Sequence, residues 1–512
     1  MERTAGTRTA GTDTVLAVSL HAVTPAPRTV GLIIIGGGFA GIGMAIRLRQ
    51  RGLHDFVILE RANDLGGTWR DNQYPGCACD VQSSLYSFSF APNPDWSRVF
   101  APQSEIWSYL RRCVETYRLA GHFSFNEEVT HAAWREDRQQ WDVTSTSATW
   151  RAPIVVSATG ALSDPVLPPV PGIESFTGRA FHSAHWDHTH DLRGTRVAVI
   201  GTGASAIQLV PHIQPLVQQL HLVQRTPPWI MPRNDHAIPA WRRTLNRRVP
   251  AIQRLERALR YAQREAMFLP FRHPAVARVA ERLARKHLDH QVSDPALRAA
   301  LTPDYRIGCK RVLLSDDFYP AITQSNVELL GGSLAAVHPQ AIELADGTRR
   351  DVDTIIFGTG FRPTDPPIAA RVFGRDARSL ADVWAGSPRA YLGTTEAGFP
   401  NLFMLLGPNT GLGHSSVLLM IEAQLEHVLG VLDRMSSLGA STAEPTAAAQ
   451  DRYARWIDAR LASTVWNRGG CASWYLDRTG RNSTLWPERV GRFRRMVSRV
   501  RTEDYIWSDI PG

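Results

Sequence analysis

Lysine is almost missing from this chain. Of its 57 Lys and Arg residues only Lys286 and Lys310 are lysines, so arginine carries nearly every positive charge. Cysteine is scarce as well: five residues, at 77, 79, 113, 309 and 471, scattered and odd in number. Such a set suggests neither a disulfide framework nor a metal site, and a cytoplasmic, reducing compartment is expected. The one close pair, Cys77-Ala-Cys79, has the wrong spacing for a redox dithiol, which argues against a disulfide-reductase mechanism. No apolar run reaches the ~20 residues of a membrane helix, so no membrane span is expected. The net charge is +9, yet there is neither a Lys/Arg block nor a zinc-finger pattern. The surplus is therefore read as a preference for anionic small molecules, with no nucleic acid as partner.

What remains is an ordinary globular composition, 43% hydrophobic and 21% charged over 512 residues, enough for roughly two to four domains. Residues 1–28, rich in Thr, Ala and Pro, read as a loose tail. Within them 14–23 faintly resemble a signal core but lack a clean basic flank.

The chemistry begins at residues 30–35, "VGLIII", a β-branched run of the kind buried in parallel sheets. It runs straight into "GGGFAG", where Gly36, Gly38 and Gly41 fit G-x-G-x-x-G and Ala40 opens the helix. A second strand, "FVILE", follows and ends at Glu60. These glycines serve a tight turn, close backbone approach to a pyrophosphate, and helix–strand packing. The helix N-terminus offers free N–H groups, and the acid about 20 residues on accepts hydrogen bonds from a ribose diol. The pattern recurs: "TRVAVI" leads to Gly201, Gly203, Ser205 and Ala206, then to a strand ending at Arg225 and Thr226. The spacing from first glycine to strand end is the same in both units, 36 to 60 and 201 to 225. Glu60 would repel a 2′-phosphate, whereas Arg225 and Thr226 suit one. The first cradle is thus expected to hold FAD and the second NADPH. Two more strand ends, "IVVSATG" (154–160) and "TIIFGTGF" (354–361), fit crossings between two nucleotide domains.

Between the cradles lies "FTGRAFHSAHWD" (176–187), which matches F-x-G-x-x-x-H-x-x-x-W-[P/D] at Phe176, Gly178, His182, Trp186 and Asp187. A second stretch, "GGTWRDNQYPGCACD" (66–80), matches [A/G]-G-x-W-x4-[F/Y]-P-[G/M]-x3-D. In these the chain resembles the Baeyer–Villiger monooxygenases of the flavin-containing monooxygenase superfamily, over about residues 30–490.

The resemblance implies an NADPH- and O2-dependent enzyme that turns a ketone into an ester or lactone through a C4a-peroxyflavin. The alternative is oxygenation of sulfur or nitrogen by the same fold, and a third reading is a nucleotide-binding sensor. It also implies site residues. Arg311 and Asp80 would be both catalytic and cofactor-binding, the arginine as a permanent cation and the acid orienting it. Lys310 would join Arg225 and Thr226 on the 2′-phosphate, and Trp474 would contact the nicotinamide nucleotide. Gly67, Thr68, Trp69, Tyr86 and Val129 would meet FAD. His182 and His414 are expected to be structural, and the loop around His414 to cover the flavin with backbone groups. The Asn482 sequon carries no meaning without secretion. No metal is expected.

The expected architecture is α/β, two Rossmann-like domains with a helical insertion. Its FAD part would span 29–165 and 367–512, and its NADPH part 166–235 and 305–366. Residues 236–304 show helical periodicity, with Ile252, Leu255, Leu259, Ala262 and Ala266 on one face. Val276, Val279, Ala280, Leu283 and His287 form another. This insertion is expected to wall the substrate pocket, its arginines solvated. The segment "ERVGRFRRMVSRVR" reads as a basic amphipathic helix.

Overall fold

The computed structural model describes residues 26–509. The β-branched runs become the hearts of two parallel sheets. Leu32–Ile35, with all four residues buried, sits in the middle of a five-stranded sheet. Its order is Leu402–Met404, Ile154–Ser157, Leu32–Ile35, Phe56–Glu60, Phe123–Phe125, every pairing parallel. Strands shielded on both faces have no solvent side, so they need continuous apolar runs rather than alternation. Arg196–Ile200 occupies the same central place in the second sheet. That order is Val327–Gly331, Gln219–Gln224, Arg196–Ile200, Thr354–Phe357, Arg179–His182, again all parallel. In each sheet the Gly-rich turn leaves the carboxyl end of the central strand, where chain connections diverge and open a crevice for a ligand.

A third sheet has an antiparallel centre built from Val129–Arg135, Gln140–Ser145 and Thr149–Ala152, with a parallel strand at each edge. Arg28–Thr29 pair with Trp150 and Arg151 at its edge, so Arg28, the last residue of the 1–28 segment assigned to a tail, belongs to a strand. Residues 1–25 of that segment, and the 14–23 stretch, lie outside the described residues. The "ERVGRFRRMVSRVR" stretch forms the helix Val490–Val497, which buries Val490, Phe493 and Val497 against the long helix Leu418–Leu438. Among the described residues no helix is long and apolar enough to cross a membrane.

Residues 236–304 are helical as expected: Ala240–Arg248, Pro250–Ala266, Leu269–Arg272, Pro274–Gln291 and Pro295–Ala300. Proline opens or nearly opens the last four, where its missing N–H costs nothing. Their orientation corrects the sequence reading. The apolar face of Pro250–Ala266 points away from the protein, with Ile252, Leu255, Leu259, Ala262 and Ala266 exposed. Its polar face points inward because the 80–93 segment presents carbonyl oxygens that need donors. Arg257 donates to the carbonyls of Ser84 and Ser87, at 3.2 and 2.9 Å. Arg264 donates to Gln82 Oε1 at 2.8 Å and to the Asp80 carbonyl at 3.3 Å. Gln253 donates to the Asn93 carbonyl at 2.6 Å. Val276, Val279 and Leu283 on the next long helix are also exposed. Periodicity locates an apolar face but does not say which way it turns.

Candidate active site

Gly36 leaves its strand at φ +108°, in the region open to glycine. The helix Phe39–Gln50 starts directly after it, and a Cβ on Gly41 would stand 1.9 Å from the Gly36 carbonyl oxygen. Helix and strand therefore meet backbone to backbone, leaving the helix N-terminus clear for an anion. At the end of the second strand, Glu60 is buried. Its carboxylate accepts from the Gly37 N–H at 2.8 Å, the Ala62 N–H at 3.0 Å and Arg70 at 2.8 Å. These bonds orient the carboxylate toward the Gly-rich turn.

A cavity of about 380 Å³ opens at this turn. Of the predicted residues, Gly36, Gly38, Ala40, Glu60, Gly67, Thr68, Trp69, Tyr86, Val129, Arg311 and Trp474 line it. Trp69 donates its indole N–H to the Tyr86 hydroxyl at 3.1 Å and meets that ring edge-on, which holds both side chains at the wall. Gly41 stays out, packed against the strand. Gly407, Pro408, Thr410, Gly411 and Leu412 supply wall from the loop before His414. No residue of 236–304 is among those lining this cavity at the first cradle.

Arg311 comes from the far unit, 231 residues along the chain from Asp80, and the two side chains meet in a two-pronged ion pair. Nε donates to Asp80 Oδ2 at 2.9 Å, while Nη2 donates to Oδ1 at 2.8 Å and Oδ2 at 2.6 Å. Arg311 reaches the cavity and Asp80 stands behind it. The charge of Asp80 raises the guanidinium pKa above its already high value. Burial pulls the Asp80 carboxyl upward, but Arg311, with Arg264 behind, outweighs this and holds it below the usual range. The result is a fixed, fully ionised cation facing the cavity.

The second cradle repeats the first. Gly201 has φ +106°, and Gly203 precedes the helix Ala204–Ile213, which carries Ser205 and the buried Ala206. Arg225 is exposed just past the strand end, next to Thr226. Lys310 lies nearby: burial and then the charge of Arg225 lower its pKa, and its ammonium rests 5.0 Å over the ring of Tyr305. Two cations held close enough to repel form a ready site for a dianion. Gly201, Gly203, Ser205, Ala206, Arg225, Thr226 and Lys310 are not among the residues lining the first cavity.

Two features escaped the sequence reading. Gln208, on the second cradle's helix, accepts from Tyr74 Oη at 2.9 Å and donates to the Ala78 carbonyl at 3.0 Å. It thereby ties that helix to the loop carrying Asp80; a polar residue inside "ASAIQLV" was the available signal. The second is a disulfide between Cys309 and Cys471, 162 residues apart. It joins the Lys310–Arg311 segment to the Trp474 segment, and it corrects the expectation that no disulfide forms. Pairing across so long a loop leaves no trace in local sequence, and the argument for a reducing compartment from scattered cysteines falls with it. Alkylation of the denatured chain should label three cysteines before reduction, those at 77, 79 and 113, and five afterwards. Five at the outset would contradict the pairing.

The remaining expectations concern histidines and thiols. His182 is buried on its edge strand, its Nδ1 accepts from the Ala184 N–H at 3.1 Å, and burial pulls its pKa down to about 4. His414, packed beside Phe268, is pulled by burial to about 3. Both are neutral groups in packed surroundings. Burial pushes the Cys77 thiol up to about 12 and Cys79 upward too, so neither is poised as a redox thiolate. Among the described residues no His, Cys, Asp and Glu cluster could hold a metal ion.

Comparison with known proteins gives a consistent picture. Residues 33–253 match the family model described as pyridine nucleotide-disulphide oxidoreductase. The chain is 51% identical over 478 residues to a Baeyer-Villiger monooxygenase of Streptomyces coelicolor, covering 93% of this chain and 92% of that one. It is 48% identical over 499 residues to a Baeyer-Villiger monooxygenase of Pseudomonas aeruginosa, covering 97% and 95%. Among solved structures, OTEMO in complex with FAD and NADP aligns with a TM-score of 0.85 at 28% identity, covering 94% of this chain and all of that one. Cyclohexanone monooxygenase from Rhodococcus bound to NADP+ aligns with a TM-score of 0.85 at 26% identity, covering 95% and 100%.

Proposed function

We infer the activity from one premise: the chain belongs to the Baeyer–Villiger monooxygenase family. It is an FAD-containing, NADPH-dependent monooxygenase acting on a small-molecule ketone. NADPH, a proton and O2 are consumed. One oxygen atom enters between the carbonyl carbon and its neighbour to give an ester or lactone; the other leaves as water beside NADP+. The observation that carries this reading is the Asp80–Arg311 pair at the wall of the first cavity.

The residues present fit both nucleotides. In the first cradle the Gly36–Gly41 contact brings the helix N-terminus up to the pyrophosphate, and Glu60 takes the ribose of FAD. Gly67, Thr68, Trp69, Tyr86 and Val129 complete that wall. In the second, Gly201, Gly203, Ser205 and Ala206 receive the NADPH pyrophosphate, while Arg225, Thr226 and Lys310 receive the 2′-phosphate. Trp474 would cover the nicotinamide end. FAD, when bound, supplies two-electron reduction by NADPH and activation of O2. The protein's part is electrostatic. Arg311 keeps its proton at every working pH and faces the cavity as negative charge develops on the substrate's carbonyl oxygen. Asp80 holds one guanidinium edge through Nε and Nη2, so this donor does not reorient during the reaction. Residues 29–165 and 367–512 form the FAD part in this reading, 166–235 and 305–366 the NADPH part. We place the enzyme in the cytoplasm, where NADPH is supplied.

A ketone panel with product mass spectrometry tests the activity: NADPH oxidation coupled to ester or lactone formation is expected. Turnover of sulfides or amines alone would move the reading to heteroatom oxygenation. For the cradle, Gly41→Val forces side-chain atoms into the Gly36 carbonyl, an overpacking cost of roughly 1–3 kcal/mol or more. Purified Gly41→Val should have lost most of its flavin absorbance and melt earlier than wild type. A yellow variant with unchanged flavin content would count against this assignment.

A further inference from the structure

We propose that the outward face of the helix Pro250–Ala266 is a membrane-docking surface for anionic phospholipid. Leu255 and Leu259 are 60% and 62% exposed, and Val249, Ile252, Met267 and Leu269 beside them are exposed as well. On the helical wheel, residues 252, 255, 259, 262 and 266 lie opposite Gln253, Arg257 and Arg264, the residues bonded to the protein body. The apolar stripe therefore points straight into solvent, which a folded protein tolerates at a cost unless something covers it.

Charge identifies the cover. Residues 236–304 hold fourteen Lys and Arg against six Asp and Glu, a surplus of eight out of the chain's net +9. Arg247, Arg248 and Arg254 are exposed beside the stripe, and Arg278, Arg282 and Lys286 are exposed on the helix Pro274–Gln291. Trp241, 68% exposed, stands on the preceding helix, with the amphipathic side chain favoured at lipid headgroups. A second copy of the chain would bring two such surpluses together and repel. Nucleic acid would neutralise the arginines but offer nothing to the leucines. An anionic leaflet satisfies both: acyl chains take the stripe and headgroups take the cations. With no spanning helix among the described residues, the chain would lie on the membrane rather than cross it.

Vesicle flotation of the full-length, flavin-loaded enzyme tests this independently of its activity. Floating with phosphatidylcholine–phosphatidylglycerol vesicles, weakened by salt and much reduced on phosphatidylcholine alone, is expected. Leu255→Ser with Leu259→Ser should cut the bound fraction about tenfold or more, while turnover of a dissolved ketone stays unchanged. Arg248→Gln should weaken binding about fivefold on anionic vesicles only, the loss of one cation near the surface. The proposal fails if wild type does not float, or if the leucine pair floats equally well. It also fails if wild type is a dimer that the leucine pair makes monomeric. Retention on duplex DNA without vesicle binding would overturn it too.

Discussion

Arg311→Ala should still reduce its flavin with NADPH and make essentially no ester. NADPH is held chiefly by the second cradle and Lys310, whereas oxygen insertion needs a cation where negative charge develops. Losing one preorganised donor of this kind costs a factor of about 10²–10³ in kcat, and a full charge more. Arg311→Lys separates charge from geometry. It keeps a cation but cannot repeat the three bonds to Asp80 at 2.6–2.9 Å, so its activity should fall between wild type and Arg311→Ala. Stopped-flow flavin reduction and gas chromatography of the product read the two steps separately. Ester formation at wild-type rates in Arg311→Ala would refute the role given to this residue.

Lys310→Ala should raise the Michaelis constant for NADPH by about 10- to 100-fold, the loss of one charge-assisted bond to phosphate. The constant for NADH, which lacks the 2′-phosphate, should move by less than about twofold. Arg225→Ala should act in the same direction. The two effects should not add, because removing either cation relieves the repulsion between them. An equal rise for NADPH and NADH would mean that Lys310 supports the segment through Tyr305 rather than binding phosphate.

The parts legible in the chain are those with local causes. A buried parallel strand needs an unbroken apolar run, and a pyrophosphate turn needs glycines at fixed steps. Both nucleotide units, their sheets and the contrast between Glu60 and Arg225 could therefore be read from short windows. The motif ending in Asp80 and the unusual lysine at 310 were visible in the same way. Lys310, one of only two lysines among arginines, turned out to feel the charge of Arg225 from across the fold.

Other features depend on which distant segments meet. The Asp80–Arg311 pair spans 231 residues and the Cys309–Cys471 bond 162, and no local pattern encodes either distance. Gln208 became a tie between helix and loop only because Tyr74 and Ala78 came to it. The direction of the Pro250–Ala266 helix was decided likewise. Its sequence specifies an apolar stripe and a polar one; the unpaired carbonyls of 80–93 claimed the polar side and turned the leucines outward. Periodicity is a property of one helix, whereas orientation is settled by the hydrogen-bonding demands of its neighbours.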